Sequence, residues 1–182
     1  MSSPKPDNDQ IKKLVLLVKK GHEPALGELI VLIEGHVLRF CVFLTGDRVF
    51  AQDLCQDTLI RALEAVGQLK EPEKFMSWLF AICRRLFIDH CRAAPPEVSS
   101  LSISEDTDFI NMVATSEMNA DDLLHIRSAL LALEPEDRTL ILLVDVEEYS
   151  YKEAGEILGI SENATRSRIH RIRKRFVEKF ES

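Results

Sequence analysis

Apolar residues recur three and four positions apart along most of the chain, and few stretches alternate polar with β-branched residues, so the pattern predicts helices and not strands. Ile11 to Val18 begins one helix. Pro24 occupies a favoured first-turn position before Leu26, Leu29, Ile30 and Ile33 continue a second. Further helices are predicted from about Val49 to Leu69 and from about Phe75 to Arg92. Another runs from Pro135, which is followed by the acid-rich first turn of Glu136 and Asp137, to about Val146.

The period lapses between Ala93 and Asp122. This segment is rich in Ser, Pro and acids; Pro95-Pro96 stops any preceding helix, and like charges favour an extended path. The fold class is thus all-α: two small helical domains, 1–92 and 123–182, joined by a flexible acidic linker, 93–122.

Charge changes the picture only once it is divided along the chain. The net charge is −7 over 182 residues, but 1–92 carries 13 basic and 12 acidic side chains, 93–122 carries 7 acids and no base, and 123–182 carries 10 and 11. The linker holds the whole excess, so bulk acidity does not exclude a nucleic-acid partner and local clusters decide. An apolar content of 46% supports a core and excludes wholesale disorder. No stretch approaches the roughly 20 apolar residues of a membrane span, and Met1 to Gln10 is too polar for a signal-peptide core, so no membrane insertion and a cytoplasmic location are expected. Cys41, Cys55, Cys83 and Cys91 form no C-x-x-C pair and read as buried reduced thiols, not metal ligands.

Ser150-Tyr151-Lys152-Glu153 is a capping box that starts a helix, Gly159 suits the left-handed residue that ends it, and Ser161 caps a second helix from Glu162. A short helix, a glycine turn and a longer helix make a helix-turn-helix, whose second member fits the DNA major groove. Six of the ten residues from Arg166 to Arg175 are basic and none is acidic. Ile169, Ile172, Phe176 and Phe180 supply the stripe that holds this helix down. Arginine contacts phosphate or pairs with guanine, which favours DNA binding over a merely solvated amphipathic helix.

In the first flank, Asp53, Gln56, Asp57, Arg61 and Glu64 fall on one arc of a helix, with Ala51, Leu54, Cys55, Leu59, Ala62 and Val66 over the remainder. An Asp57–Arg61 pair at i, i+4 is available. Taken alone, this is the water-facing stripe of a core helix. The next helix carries Phe75, Leu79, Ile82 and Leu86 on one face with Met76 and Cys83 beside them, Ser77, Arg84, Arg85 and Arg92 pointing away, and Trp78 at the edge, as core or as a stacking surface for a base. A charged loop stiffened by proline, Lys70-Glu71-Pro72-Glu73-Lys74, precedes it.

In this order the segments resemble the ECF (extracytoplasmic-function) group of bacterial sigma factors. Ala51-Gln52-Asp53-Leu54-Cys55-Gln56-Asp57-Thr58-Leu59 is similar to the region 2 helix that docks on core RNA polymerase. Phe75 through Arg85, with Ile88-Asp89 and Arg92, is similar to the region 2 helix that handles the −10 element. Ser150 through Arg171 is similar to the region 4 helix-turn-helix that reads the −35 element. The resemblance implies polymerase contacts at Asp53, Leu54, Gln56, Asp57 and Arg61, and −10 DNA contacts at Lys70, Lys74, Ser77, Trp78, Arg84, Arg85 and Arg92. It implies −35 contacts at Glu162, Asn163, Arg166, Ser167, Arg168, Arg171 and Lys174. The Lys70–Lys74 loop then captures a flipped base of the non-template strand, at a cost of a few kcal/mol of unstacking. Core RNA polymerase, promoter DNA and an anti-sigma factor are the implied partners, without a cofactor or metal, and the acidic linker follows the RNA exit path as a nucleic-acid mimic.

The chain departs from the family pattern where Arg85 replaces a common Asn, where Asn163-Ala164-Thr165 replaces Gly-Thr-Val, and where Ala154-Gly155 replaces Ile-Ala. Thr165 in a normally apolar position predicts a looser helix-turn-helix or an unusual DNA preference. Two other classes stay open: a free-standing helix-turn-helix regulator, which leaves the Asp53–Asp57 stripe without a task, and a degenerate sigma acting as a protein-binding adaptor. An enzyme is not expected, since the sequence has no glycine-rich phosphate loop or metal-ligand spacing and His22, His36, His90, His125 and His170 are scattered.

Overall fold

The computed structural model describes residues 6–93 and 120–180. The linker predicted at 93–122 therefore lies largely outside the described residues, although its last three positions already belong to a helix that starts at Ala120.

The first module is built from α1 (Asn8–Lys19), α2 (Glu23–Thr45), α3 (Arg48–Ala65) and α4 (Phe75–Ala93). Local chemistry sets each boundary. Asp7 caps α1 by accepting from the Asp9 amide at 3.0 Å. Pro24 stands in the first turn of α2, and His22 Nδ1 accepts from the Ala25 amide at 3.2 Å. Gly46, at φ 68°, ends α2 in the left-handed conformation, and Asp47 then caps α3 by accepting from the Phe50 amide at 2.7 Å. One-turn 3₁₀ segments, Val66–Gln68 and Pro72–Lys74, carry the chain from α3 to α4. The core holds Leu29, Ile33, Val37, Phe40 and Leu44 of α2 against Ala51, Leu54 and Ala62 of α3 and Phe75, Leu79 and Phe80 of α4. On α4 the buried face is turned slightly from the predicted stripe, toward Met76 and Cys83 at its side: Phe80 and Phe87 are buried with them, whereas Ile82 and Leu86 are half-buried at its margin.

The second module comprises α5 (Ala120–Leu131), α6 (Pro135–Ile141), a π-helical turn (Leu142–Val146), α7 (Tyr151–Leu158) and α8 (Glu162–Phe180). Leu123, Leu130, Leu140, Leu143, Ile157, Ile169 and Ile172 form its centre. The π turn stands where sequence predicts the end of one continuous helix. It re-aims the chain so that Glu147 and Tyr149 leave toward the first module.

The two modules pack against each other in this conformation, α4 against α6 and α7, and α2 against α5, α6 and the π turn. Buried arginines join them. Arg138 of α6 donates to the Leu44 carbonyl at 2.7 Å and to the Leu130 carbonyl at 2.9 Å, and Arg127 of α5 donates to the Gly46 carbonyl. Both reach the C-terminal end of α2, where helix-end carbonyls carry partial negative charge that favours a cation. Burial pushes the Arg138 guanidinium below its usual range, and its carbonyl partners offset that desolvation.

Candidate functional site

Three surfaces have to be built from these elements, beginning with α3. Ala51, Leu54, Cys55, Thr58 and Ala62 are spaced to face the core and are buried. The same spacing leaves Asp53, Gln56, Asp57, Arg61 and Glu64 exposed. Leu54 is only 3% exposed, so it supports the helix from beneath and offers no atoms to a partner, unlike its four neighbours in the predicted contact set. Arg61 pairs with Glu64 at 3.7 Å, one turn toward the C-terminus, where spacing predicted Asp57 one turn toward the N-terminus. Two apolar residues missed by sequence reasoning share this face: Val49 at 69% and Ile60 at 45% exposure. At 100° per residue they fall within the arc of Asp53, Gln56, Asp57 and Glu64, giving an apolar centre with a carboxylate and amide rim.

The second surface is the outward side of α4 with the preceding loop. Lys70 and Lys74 are exposed, and Lys74 pairs with Glu71 at 3.0 Å. Glu73 meets Lys12 of α1 at 3.7 Å, which ties the loop to the first helix. Trp78 is half-buried, with its ring 5.9 Å from Phe75, so it is partly core and partly available. Arg85 and Arg92 are exposed, with Arg85 near Asp89 at 3.9 Å. Ser77 and Arg84 are placed differently. Arg84 makes a bidentate ion pair with Glu136 of α6, at 2.7 Å to Oε1 and 3.2 Å from Nε to Oε2, and Ser77 hydrogen-bonds the Tyr149 hydroxyl. Burial pushes Tyr149 up to about 12. Both predicted DNA contacts on this side are thus occupied by the second module.

The third surface is the helix-turn-helix. The capping box is present in both directions, with the Glu153 amide donating to Ser150 Oγ at 3.2 Å and the Ser150 amide to Glu153 Oε2 at 2.9 Å. Gly159 takes φ 73° and Ser161 Oγ accepts from the Ala164 amide at 3.2 Å. The departures at 155 and 165 explain each other. Thr165 is fully buried between α7 and α8, and its hydroxyl donates to the Ser161 carbonyl at 3.0 Å. A Cβ at position 155 would stand 2.7 Å from both that hydroxyl and the Ile160 carbonyl oxygen, so Gly155 makes the room that Thr165 uses. The two helices are tightly packed there, against the looser arrangement expected from sequence.

Glu162, Asn163, Arg166, Ser167, Arg171 and Lys174 are all exposed on the outward side of α8. Arg168 is not on that side: it donates to Asp137 of α6 at 2.6 Å and is part-buried there. Arg175 also reaches Asp137, at 3.6 Å, and Arg173 pairs with Asp145. Arg166, though exposed, lies over the Tyr151 ring and 3.4 Å from Glu162, so four of the six basic residues of the cluster have partners in their own module. Sequence reasoning could not find Asp137 and Asp145 as partners, which lie 28 to 38 positions away.

Among the described residues no helix is long and apolar enough to cross a membrane. The four cysteines are free thiols; Cys41, Cys55 and Cys83 are buried and Cys91 is half-buried.

Comparison with known proteins agrees with this geometry. Residues 29–95 match the model for Sigma-70 region 2, and residues 123–176 match that for Sigma-70, region 4. The chain is 30% identical over 176 residues to the ECF RNA polymerase sigma factor SigW of Bacillus subtilis, covering 90% of this chain and 93% of that protein. It is 35% identical over 158 residues to the ECF RNA polymerase sigma factor SigE of Mycolicibacterium smegmatis, covering 83% of this chain and 60% of the relative. Among solved structures, the sigma factor RpoE in complex with the anti-sigma factor NepR from Bartonella quintana superposes with a TM-score of 0.68 at 26% identity, over 85% of this chain and 96% of that one. With both family segments in order on an all-helical frame, and a relative matched over nearly its whole length, the chain belongs to the ECF RNA polymerase sigma factors.

Proposed function

We propose that this chain binds core RNA polymerase and directs promoter-specific initiation, with α3 as the docking helix, α4 and its loop as the −10 element and α8 as the −35 reader. The observation that carries this assignment is the exposed α3 face, Asp53, Gln56 and Asp57 around Val49 and Ile60, on the same chain as an outward basic recognition helix. A free-standing regulator has use for the second and none for the first. In this scheme Arg166, Ser167, Arg171 and Lys174, with Asn163 and Glu162, meet −35 DNA, and Arg168 holds the helix in place through Asp137. Lys70, Lys74, Trp78, Arg85 and Arg92 serve the −10 strand beside Ser77 and Arg84. Leu54 supports the docking helix from the core. No bond is made or broken by the chain; its work is to hold separated strands while the polymerase does the chemistry.

The solved relative RpoE was captured with an anti-sigma factor, and a partner of that kind, acting in the cytoplasm, is part of the proposal for this chain. Gel filtration of the purified chain with core polymerase tests the docking assignment. Co-elution that is lost in Asp53→Lys/Asp57→Lys supports it; co-elution unaffected by that pair would place the docking surface elsewhere.

A further inference from the structure

Three thiols from three helices meet inside the first module: Cys41 of α2, Cys55 of α3 and Cys83 of α4. The Cys41 and Cys83 sulfurs stand 3.6 Å apart, and Cys41 is also hydrogen-bonded to the Cys55 thiol. All three are free. Packing alone asks only for a small apolar side chain at each position, and alanine would serve. Three polarizable sulfurs in one spot carry a chemistry that alanine lacks. Among the described residues no group of three His, Cys, Asp or Glu side chains is placed to hold a metal ion, which leaves the chemistry of sulfur with sulfur.

The three positions are not equivalent. Cys41 and Cys83 are 0% exposed, whereas Cys55 is 4% exposed and belongs to the helix whose other face is open to solvent. The hydrogen bond between Cys41 and Cys55 holds the Cys55 thiol below its usual range and, with the contact to Cys83, holds Cys41 well above it. Cys55 thus combines the most thiolate character with the shortest way to solvent, reached when α3 opens locally. Cys91 lies farther along α4, half-buried, and burial pushes its thiol up.

We propose that Cys55 and Cys41 form an oxidation site, at which hydrogen peroxide converts two thiols to one disulfide and thereby loosens the grip of α3 on core polymerase. The Cys55 sulfur attacks one peroxide oxygen, the O–O bond breaks, and the other oxygen leaves as water with the Cys55 proton. The sulfur of Cys41 then attacks the resulting sulfenic sulfur, the S–O bond breaks, and a second water leaves with the Cys41 proton. Two thiols are oxidised and one peroxide is reduced to two waters. Cys55 stands between Leu54 and Gln56, beneath the docking arc. A disulfide needs about 2.05 Å between its sulfurs, far less than a hydrogen-bonded contact, so closing it draws α3 toward α2 and re-aims Asp53, Gln56 and Asp57. The effect on docking rests on the functional assignment above; the disulfide does not.

The test uses the full chain, reduced and then exposed to hydrogen peroxide, with the remaining thiols blocked and the peptides mapped by mass spectrometry. A chain two hydrogens lighter is expected, with the Cys41 and Cys55 peptides joined and the link reversed by dithiothreitol. Cys55→Ala should abolish that product and Cys91→Ala should leave it unchanged; the wild-type map decides the site even where the Cys55 variant folds poorly. In a titration of core polymerase, the oxidised chain should bind about tenfold more weakly than the reduced one, with affinity restored by dithiothreitol. Free thiols at both positions after peroxide, a link through Cys83 or Cys91 instead, or an oxidised chain that binds polymerase as tightly as the reduced one would overturn the proposal. A reduced chain that does not bind core polymerase refutes the functional assignment alone, and the mapped Cys41–Cys55 link then still supports the oxidation site.

Discussion

Replacing Gly155 by alanine separates two opposite expectations by sign. In an open helix position the change stabilises, because alanine exceeds glycine by about 0.8–1.0 kcal/mol in helix propensity. Here the new methyl would stand 2.7 Å from the Ile160 carbonyl oxygen and 2.7 Å from Thr165 Oγ1. Ile160 O is backbone in the tight turn, and Thr165 is fully buried with its hydroxyl tied to the Ser161 carbonyl, so neither yields cheaply. Overpacking of this sort costs about 1–3 kcal/mol, which leaves a net destabilisation of about 0–2 kcal/mol once the propensity gain is subtracted. Thr165→Ala combined with Gly155→Ala removes one of the two clashes and should recover part of the loss, a coupling that a double-mutant cycle measures. Amide exchange of peptides from α7 and α8 isolates the second module from the rest of the chain, and urea melting by circular dichroism gives the global effect. Faster exchange in Gly155→Ala, partly reversed by Thr165→Ala, is the expected result. A single variant that is more protected than wild type by the full propensity gain would refute the close crossing of the two helices.

On the outward side of α8, Arg171→Ala and Lys174→Ala should each weaken −35 DNA binding and flatten the salt dependence by about one unit of slope for each phosphate no longer neutralised, measured by fluorescence anisotropy over a salt series. Arg168→Ala should instead lower the melting temperature and leave that slope nearly unchanged, because its guanidinium is engaged by Asp137. Asp53→Lys/Asp57→Lys should abolish co-elution with core polymerase while changing the urea midpoint little, since exposed substitutions away from structural contacts fall within about 0.5 kcal/mol each. Tyr149 is raised to about 12 by burial, so its neutral form is favoured by folding. Its contribution, roughly 2–3 kcal/mol, is fully present below about pH 10 and is lost as pH rises toward 12; Tyr149→Phe should remove that part of the alkaline stability loss in a pH series of urea melts.

Much of this molecule was legible in its residue order, and the reasons are local. Helix starts at Pro24, Pro135, Ser150 and Ser161 and the stop at Gly159 were readable because caps and left-handed residues act within four positions. The polar arc of α3 was readable because 3.6-residue periodicity places Asp53, Gln56 and Asp57 together without knowledge of any neighbour. What remained hidden depends on distant pairing. Asp137 recruits Arg168 and Arg175, and Glu136 recruits Arg84 across 52 positions, so charges that look outward in sequence are neutralised in space. Gly155, costly inside a helix, already pointed to a close crossing of the second helix, and the structure has it; Thr165 looked like a weakness because nothing local says that it is the residue for which Gly155 makes room. The junction between modules was not legible either, since Arg127 and Arg138 resemble surface residues until the carbonyls of Leu44 and Gly46 are brought to them.

The most direct test of the central claim is to combine the purified chain with core RNA polymerase on bacterial genomic DNA and map the 5′ ends of the transcripts. The account predicts starts that appear only with both components and that share a pair of upstream elements at fixed spacing. Starts that are identical with and without the chain, or protection of DNA by the chain alone with no new transcripts, would contradict it.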